Sequence, residues 1–183
     1  MKAIDKYLQR VRITKAKKFI QKNDSVLDIG SVDGVMFEAW QGFISKGIGV
    51  DPTLKEIIKK DNYILYPGYF PEACPKEEIF DAITLLAVLE HIPTSQQEAL
   101  AKNCHHFLKA KGKLIITVPS PQVDIILAIL TKLRLIDGMS LEEHFGFEPK
   151  HTPQIFSEPR FKLIHKSHFQ LGLNNLFVFE KIG

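Results

Sequence analysis

Apolar residues recur along this chain in two alternating periods. Ile4, Tyr7, Leu8, Val11, Phe19 and Ile20 fall at mostly helical spacing, which predicts an amphipathic helix within residues 1–22. Ser25 to Gly30 is a short apolar run ending in glycine, the pattern of a buried strand. Helical spacing returns over Asp33 to Ile44, and Gly47 to Asp51 predicts a second strand ending on an acid. Leu54 to Lys60, following Pro52, is expected to form a short helix. Tyr63 to Tyr66 and Ile79 to Leu86 predict a third and a fourth strand, and Ser95 to Leu108 a helix with Leu100, Cys104 and Phe107 on one face. Lys113 to Val118 reads as a fifth strand stopped by Pro119 and Pro121. A further helix is expected over Val123 to Leu135, then closing strands over Phe161 to Phe169 and Leu176 to Lys181.

Strand and helix alternate five times, which argues a parallel sheet with helices on both faces. The last two strands lie too close in sequence for a helical crossover, so they should pair antiparallel. With 183 residues, 45% of them hydrophobic and 25% charged, the chain can build one sizeable core and reads as a single domain over 1–183. The longest purely apolar run, Ile125 to Leu130, is far below the ~20 residues of a spanning helix. The first 22 residues lack the apolar core of a secretory signal, so the expected location is cytoplasmic. Two cysteines, Cys74 and Cys104, without ligand-spaced neighbours argue against both a disulfide scaffold and a metal centre.

The net charge of +3 is mild but uneven. Lys2, Lys6, Arg10, Arg12, Lys15, Lys17, Lys18 and Lys22 face only Asp5 and Asp24 in the first 24 residues. The preferred reading is a helix packed on the domain with a solvated basic face. RNA, phosphate or anionic lipid is the sharper alternative.

In an open parallel sheet, ligands bind beyond the carboxyl ends of the strands. Three predicted strand ends carry chemistry. Asp28-Ile29-Gly30-Ser31-Val32-Asp33-Gly34 is a glycine-containing strand–helix turn, where the backbone can approach a ligand closely. Asp51 stands about 20 residues beyond that turn, suited either to a ribose diol or to capping a helix that starts at Pro52. Leu85-Leu86-Ala87-Val88-Leu89-Glu90-His91-Ile92 carries a strand into a loop bearing an acid and a histidine. His91 is a candidate general base or a structural histidine.

Together these motifs resemble the class I S-adenosylmethionine-dependent methyltransferases of the small-molecule type. Val26-Leu27-Asp28-Ile29-Gly30 through Gly34 is similar to the cofactor loop, and Gly49-Val50-Asp51 to the ribose-binding acid. Phe80-Asp81-Ala82 through Val88-Leu89-Glu90-His91-Ile92 is similar to the motif after the fourth strand. The turn before Leu114, the Thr117-Val118-Pro119 strand end and the Gly172 to Phe177 hairpin also match.

The resemblance implies a Rossmann-like, seven-stranded, mostly parallel sheet with a C-terminal antiparallel hairpin. It implies S-adenosylmethionine as cofactor. Gly30, Ser31 and Gly34 would lie against its methionine part, and Asp28 would orient the loop. Asp51, with Pro52 beside it, would hold the ribose hydroxyls. Tyr69 and Phe70 would lie at the adenine edge, and Leu85 and Leu86 beside the ribose and methionine moieties.

The chain departs from the family at Val32, which stands where a middle glycine is usual. A β-branched residue there resists φ > 0 and crowds the ligand, which predicts weakened cofactor binding. The expected reaction is methyl transfer to a small-molecule acceptor, at oxygen. His91, His144 and His151 are the candidate bases, and residues 119–158, including Met139 and Phe145, the candidate acceptor cap or lid. The alternatives are a methyltransferase-fold interaction module that binds cofactor weakly or not at all, an RNA-acceptor enzyme, and a NAD-dependent oxidoreductase. The last is disfavoured because Gly30 and Gly34 lack dinucleotide glycine spacing.

Overall fold

The computed structural model describes residues 3–120 and 147–183. The chain opens with α1 (Ala3–Lys17), β1 (Ser25–Ile29), α2 (Val35–Ala39) and β2 (Lys46–Asp51). It continues through β3 (Ile58–Lys59), β4 (Tyr63–Pro67), β5 (Phe80–Leu86) and a 3-10 turn at Leu89–His91. Then come α3 (Thr94–Phe107), β6 (Leu108–Pro119), a second 3-10 turn at Pro149–His151, α4 (Thr152–Ile155), β7 (Phe161–Phe169) and β8 (Asn174–Lys181). The predicted helix over Val123 to Leu135, together with Met139, His144 and Phe145, lies outside the described residues.

Among the described residues, eight strands form one sheet in the order β3-β4-β2-β1-β5-β6-β8-β7. The inner pairs β4–β2, β2–β1, β1–β5 and β5–β6 are parallel. The β7–β8 hairpin closes one edge antiparallel, as its short connection requires. From β1 the chain first builds outward through β2 and β4, then returns to lay β5 on β1's other side. That reversal leaves a crevice at the carboxyl end of β1, where such sheets bind ligands.

Strand alternation divides the core into two layers. On one face, Val26, Ala82, Ile115, Leu176 and Val178 pack against Ile13 and Ala16 of α1 and Met36 and Phe37 of α2. On the other, Leu27, Ile29, Ile83, Leu85, Ile116 and Phe177 pack against Leu100, Ala101, Cys104 and Phe107 of α3. Trp40 and Phe37 are wholly buried, and burial of each contributes about 1.5–3 kcal/mol.

The eighth strand comes from the segment expected to be a helix over Leu54 to Lys60. There Asp51 turns its carboxylate back onto the Thr53 amide at 2.7 Å, which competes with a helical start. The β-branched Ile58 then pairs antiparallel with Leu65, and Lys60 N–H donates to the Tyr63 carbonyl across a turn at Asp61-Asn62. The helix expected over Asp33 to Ile44 is also shorter, because Gly42 enters the left-handed region (φ 73°) soon after Trp40 ends it.

Candidate cofactor site

The crevice is built on β1. Gly30 N–H and Ser31 N–H both donate to the Val50 carbonyl, at 2.9 and 3.3 Å, so the glycine turn is pinned to the end of β2. Gly30 (φ 86°) and Gly34 (φ 68°) take left-handed backbone that side chains resist. Space is also short there. A Cβ on Gly30 would come 2.4 Å from Val88 Cγ2, and one on Gly34 2.9 Å from the Tyr63 ring.

Val32 does not have positive φ, unlike its two flanking glycines. The conformational ground for expecting weak binding therefore fails: the backbone at this position requires no glycine. Its side chain is 55% exposed at the rim of the turn. Val32→Gly is accordingly expected to leave S-adenosylhomocysteine affinity within about threefold while loosening the turn by about 0.5–1 kcal/mol. Calorimetric titration beside a thermal melt checks both, and a large gain in affinity would show instead that the isopropyl group obstructs the ligand.

Asp28 projects from β1 toward α2 and is buried. Thr84 Oγ1 donates to its Oδ1 at 2.7 Å across the β1–β5 pair. Burial raises its carboxyl to about 7, against the lowering by the Thr84 hydrogen bond and the nearby Ser31 hydroxyl; Asp33 and Asp51 add repulsion in the same upward direction. A carboxylate desolvated at a strand end suits a cationic ligand group.

Asp51, also buried, ends β2. Its Oδ1 accepts from Thr53 N–H and Thr53 Oγ1. The short side chain is thus fixed, with the capping role expected for it taken by an Asx turn rather than by a helix. Two hydroxyls in a diol would meet a preoriented acceptor there.

A cavity of about 70 Å³ lies against this turn, lined by Asp28, Gly30, Ser31, Val32, Asp33, Met36 and Leu86 below and by Gln9, Arg12 and Ile13 of α1 above. Gln9 Nε2 bridges both Asp33 oxygens at 3.0 and 3.3 Å, so α1 is latched directly onto the glycine turn. Thr84, Met36, Gln9 and Arg12 were not legible as site residues. The sequence of α1 displays its charge, not the strand end it crosses.

A profile of the family described as a methyltransferase domain matches residues 2–166, most of the chain. The chain belongs to the class I S-adenosylmethionine-dependent methyltransferase family. A ubiquinone biosynthesis O-methyltransferase of Coxiella burnetii is 32% identical over 104 residues, covering 52% of this chain and 44% of that protein. The chain thus spans less than half the length of the curated relatives it matches. Among solved structures, the N-methyltransferase NodS of Bradyrhizobium japonicum shares the fold with a TM-score of 0.67 at 14% identity, covering 98% of this chain and 99% of NodS. YcgJ of Bacillus subtilis has a TM-score of 0.66 at 16% identity, covering 97% and 99%. NodS has also been solved with S-adenosylhomocysteine, with a TM-score of 0.65 to this chain.

The remaining positions of this methyltransferase separate into those the fold brings to the crevice and those it does not. Leu86 is half-buried and lines the cavity, whereas the Leu85 side chain is 0% exposed and points into the core on the opposite face of the sheet. Only the Leu85 backbone reaches the strand end. Pro52 is exposed beside Asp51. Tyr69 is 73% exposed after Gly68, and Phe70 packs inward, with its ring centroid 5.3 Å from that of Phe107. His91 is half-buried at the end of the 3-10 turn following β5, with its N–H on the Val88 carbonyl. His151 is exposed in the turn before α4, a helix that packs on the α3 face.

The strand end before His91 is itself unusual: Ala87 takes φ 62° while donating its N–H to the Thr117 carbonyl at 2.8 Å. A non-glycine residue held left-handed at a strand end stores strain where a loop must be aimed. Cys74 and Cys104 are free and buried, and burial pushes the Cys74 thiol up to about 12 and Cys104 higher still. Neither thiol is a nucleophile near neutral pH. No helix among the described residues is long and apolar enough to cross a membrane.

Proposed function

We propose that this chain transfers the methyl group of S-adenosylmethionine to an oxygen of a small-molecule acceptor. The carrying observation is the conjunction, at one end of β1 and β2, of a pinned glycine turn, a buried Asp28 and an oriented Asp51. Those three groups fit the methionine, sulfonium and ribose parts of that cofactor in order. The choice of oxygen rests on the O-methyltransferase relative, whose matched region spans about half of this chain.

The bound cofactor would supply an electrophilic sulfonium methyl. The protein's part is to exclude water, align the acceptor oxygen and remove its proton. Gly30, Ser31 and Gly34 would hold the methionine part by close backbone approach, Asp28 would balance its positive charge, and Asp51 would take the ribose diol. Tyr69 and Pro52 would border the adenosine from the surface side, with Phe70 packed beneath. Leu86 and the Leu85 backbone would wall the transfer point. His91, on the turn that leaves β5, is the proposed general base. His151, exposed on the α3 side, is at most an acceptor-side residue.

An RNA acceptor draws less support. Lys17 spends its ammonium over the Phe43 ring and near the Ala39 carbonyl, and Lys15 lies over Phe169. Part of the basic stripe of α1 is thus packing.

The test is turnover of S-adenosylmethionine with phenols, catechols, carboxylates and amines, followed by mass analysis of the acceptor. O-methylation is expected. The His91→Ala variant is expected to lose roughly 10²–10⁴ in kcat while keeping its S-adenosylhomocysteine affinity. Methylation of amines alone would overturn the oxygen assignment, and an unchanged kcat would remove His91 as base.

A further inference from the structure

Two features at the crevice end of the molecule lie outside the cofactor site. The first is the turn joining β7 to β8. Asn174, where β8 begins, pairs with Pro119 at the carboxyl end of β6, so this turn stands at the same end of the sheet as the glycine turn. Gln170, Leu171 and Gly172 take three left-handed conformations in a row, with φ of 52°, 57° and 84°. The turn is firmly held. Ser120 N–H donates to the Leu173 carbonyl at 2.8 Å, Ser120 Oγ to the Gly172 carbonyl at 2.6 Å, and Asn174 Nδ2 to Gln170 Oε1 at 2.6 Å. At its tip the Leu171 side chain is fully exposed. Left-handed backbone favours Gly or Asn, so a leucine there carries a steric cost. A fully exposed side chain recovers none of that cost inside the chain. An apolar group aimed outward from a fixed, strained position is fitted to a contact outside the molecule.

The second feature is the amino-terminal half of α1. Gln9 meets Asp33 at the glycine turn, Ile13 and Ala16 pack on the sheet, and Lys17 reaches the Ala39 carbonyl at the end of α2. The helix therefore runs away from the crevice, and the residues before Gln9 stand at its mouth. There Tyr7 is 63% exposed, with Lys6 and Arg10 exposed beside it. Lys15 and Lys17 are spent on packing, but no ion pair among the described residues uses Lys6 or Arg10. Arg12 Nε donates to Asn174 Oδ1 at 3.4 Å, which joins this helix to the β7–β8 turn. Leu171, Tyr7 and the two cations thus belong to one end of one rigid unit.

We propose that this end of the molecule docks on an anionic lipid bilayer, with Leu171 and Tyr7 entering the headgroup boundary and Lys6 and Arg10 meeting the negative headgroups. Charge complementarity and the protruding apolar groups together select that partner. An aliphatic tip is driven into the acyl boundary, a tyrosine ring sits there with its hydroxyl at headgroup level, and cations gain from the negative surface potential. RNA would satisfy the cations but offers no apolar phase to a protruding leucine. Docking in this pose turns the crevice mouth toward the bilayer. The consequence for the acceptor, a molecule that partitions into lipid, rests on the methyltransferase reading above.

The test is co-sedimentation of the full chain with vesicles of phosphatidylcholine mixed with phosphatidylserine, beside vesicles of phosphatidylcholine alone. Preferential binding to the mixed vesicles, weakened by salt, is expected. Leu171→Asn should weaken it by roughly fivefold or more while leaving the melting temperature unchanged or raised, because Asn accepts left-handed backbone. Lys6→Gln combined with Arg10→Gln should weaken it by roughly tenfold or more. Lys18→Gln, which removes an exposed charge just past the other end of α1, should stay within about twofold. Calorimetry with S-adenosylhomocysteine accompanies each variant, and its affinity should not change. A failed docking surface and a failed cofactor reading therefore register separately. Absence of binding to the mixed vesicles would overturn the proposal. So would an equal loss on Lys18→Gln, which would show a diffuse basic face with no defined pose. Salt-dependent retention on single-stranded RNA that Leu171→Asn leaves intact, without vesicle binding, would assign the cations to nucleic acid instead.

Discussion

Replacing Asp51 with alanine is expected to weaken S-adenosylhomocysteine binding by about 100-fold or more, from the loss of two charge-assisted hydrogen bonds to one diol. The fold should survive. Asp51 also anchors the Thr53 amide and hydroxyl, so stability should fall, but by only about 1 kcal/mol, as for a lost cap. Asp51→Asn separates the two functions. The amide oxygen can still accept from Thr53, while the charge that strengthens the ribose bonds is gone. Its stability should therefore recover more than its affinity. The measurement is calorimetric titration of both variants against the nucleoside adenosine as well as S-adenosylhomocysteine. If both ligands bound Asp51→Ala as tightly as the unaltered protein, the diol would have to be held elsewhere and Asp51 would be only a turn residue.

The second large effect concerns Asp28. Its carboxyl is raised to about 7 in the folded chain, chiefly by burial, against an ordinary value of 3.8. The sign follows from linkage. Between those two values the folded state holds a proton that the unfolded state has released. The stability Asp28 contributes is therefore complete below the unfolded value and is lost as pH rises through about 7. Ligand-free protein should be less stable at pH 8 than Asp28→Asn, by about 1–3 kcal/mol, because the amide keeps the Thr84 hydrogen bond without a desolvated charge. Binding should run the other way. A cationic ammonium or sulfonium favours the ionised carboxylate, so affinity for S-adenosylmethionine should rise with pH until about 7 and then level. Asp28→Asn should bind roughly tenfold or more weakly and lose that pH dependence. Melting curves and titrations across about pH 5.5 to 8.5 check both signs together. An Asp28→Asn protein that was less stable at pH 8, or that kept the pH profile, would show that burial does not govern this group. The same carboxylate is thus costly to the empty fold and useful to the loaded one, the usual economy of a site that selects a charged ligand.

Much of this architecture was legible before any coordinates. The strand–helix alternation, the antiparallel closing hairpin and the motifs at Gly30, Asp51 and His91 are local in sequence, and local patterns report backbone periodicity directly. Asp51 was readable twice over, as a ribose acceptor and as a cap, because both roles need a short carboxylate after a strand. The misread segments were those where a local preference was contested. Leu54 to Lys60 has helical composition, but the Asx turn at Asp51 and pairing with β4 draw Ile58 and Lys59 into a strand. At Val32 the expectation rests on residue type alone. Its φ depends on how Gly30 and Ser31 hang from the Val50 carbonyl, which only the neighbouring strand decides.

The sequence by itself therefore determined the family, most of the alternation of strands and helices, the antiparallel closing hairpin and the two acids at the ends of β1 and β2. The tertiary structure alone decided which groups face one another. It buried Asp28 beneath Thr84, turned Leu85 away from the crevice and Leu86 toward it, and laid Gln9 and Arg12 across a turn more than a dozen residues away. The physical reason is separation along the chain. Arg12 and Asn174 lie 162 residues apart and meet only because β8 pairs beside β6 and α1 crosses that end of the sheet. No periodicity within either segment carries that information.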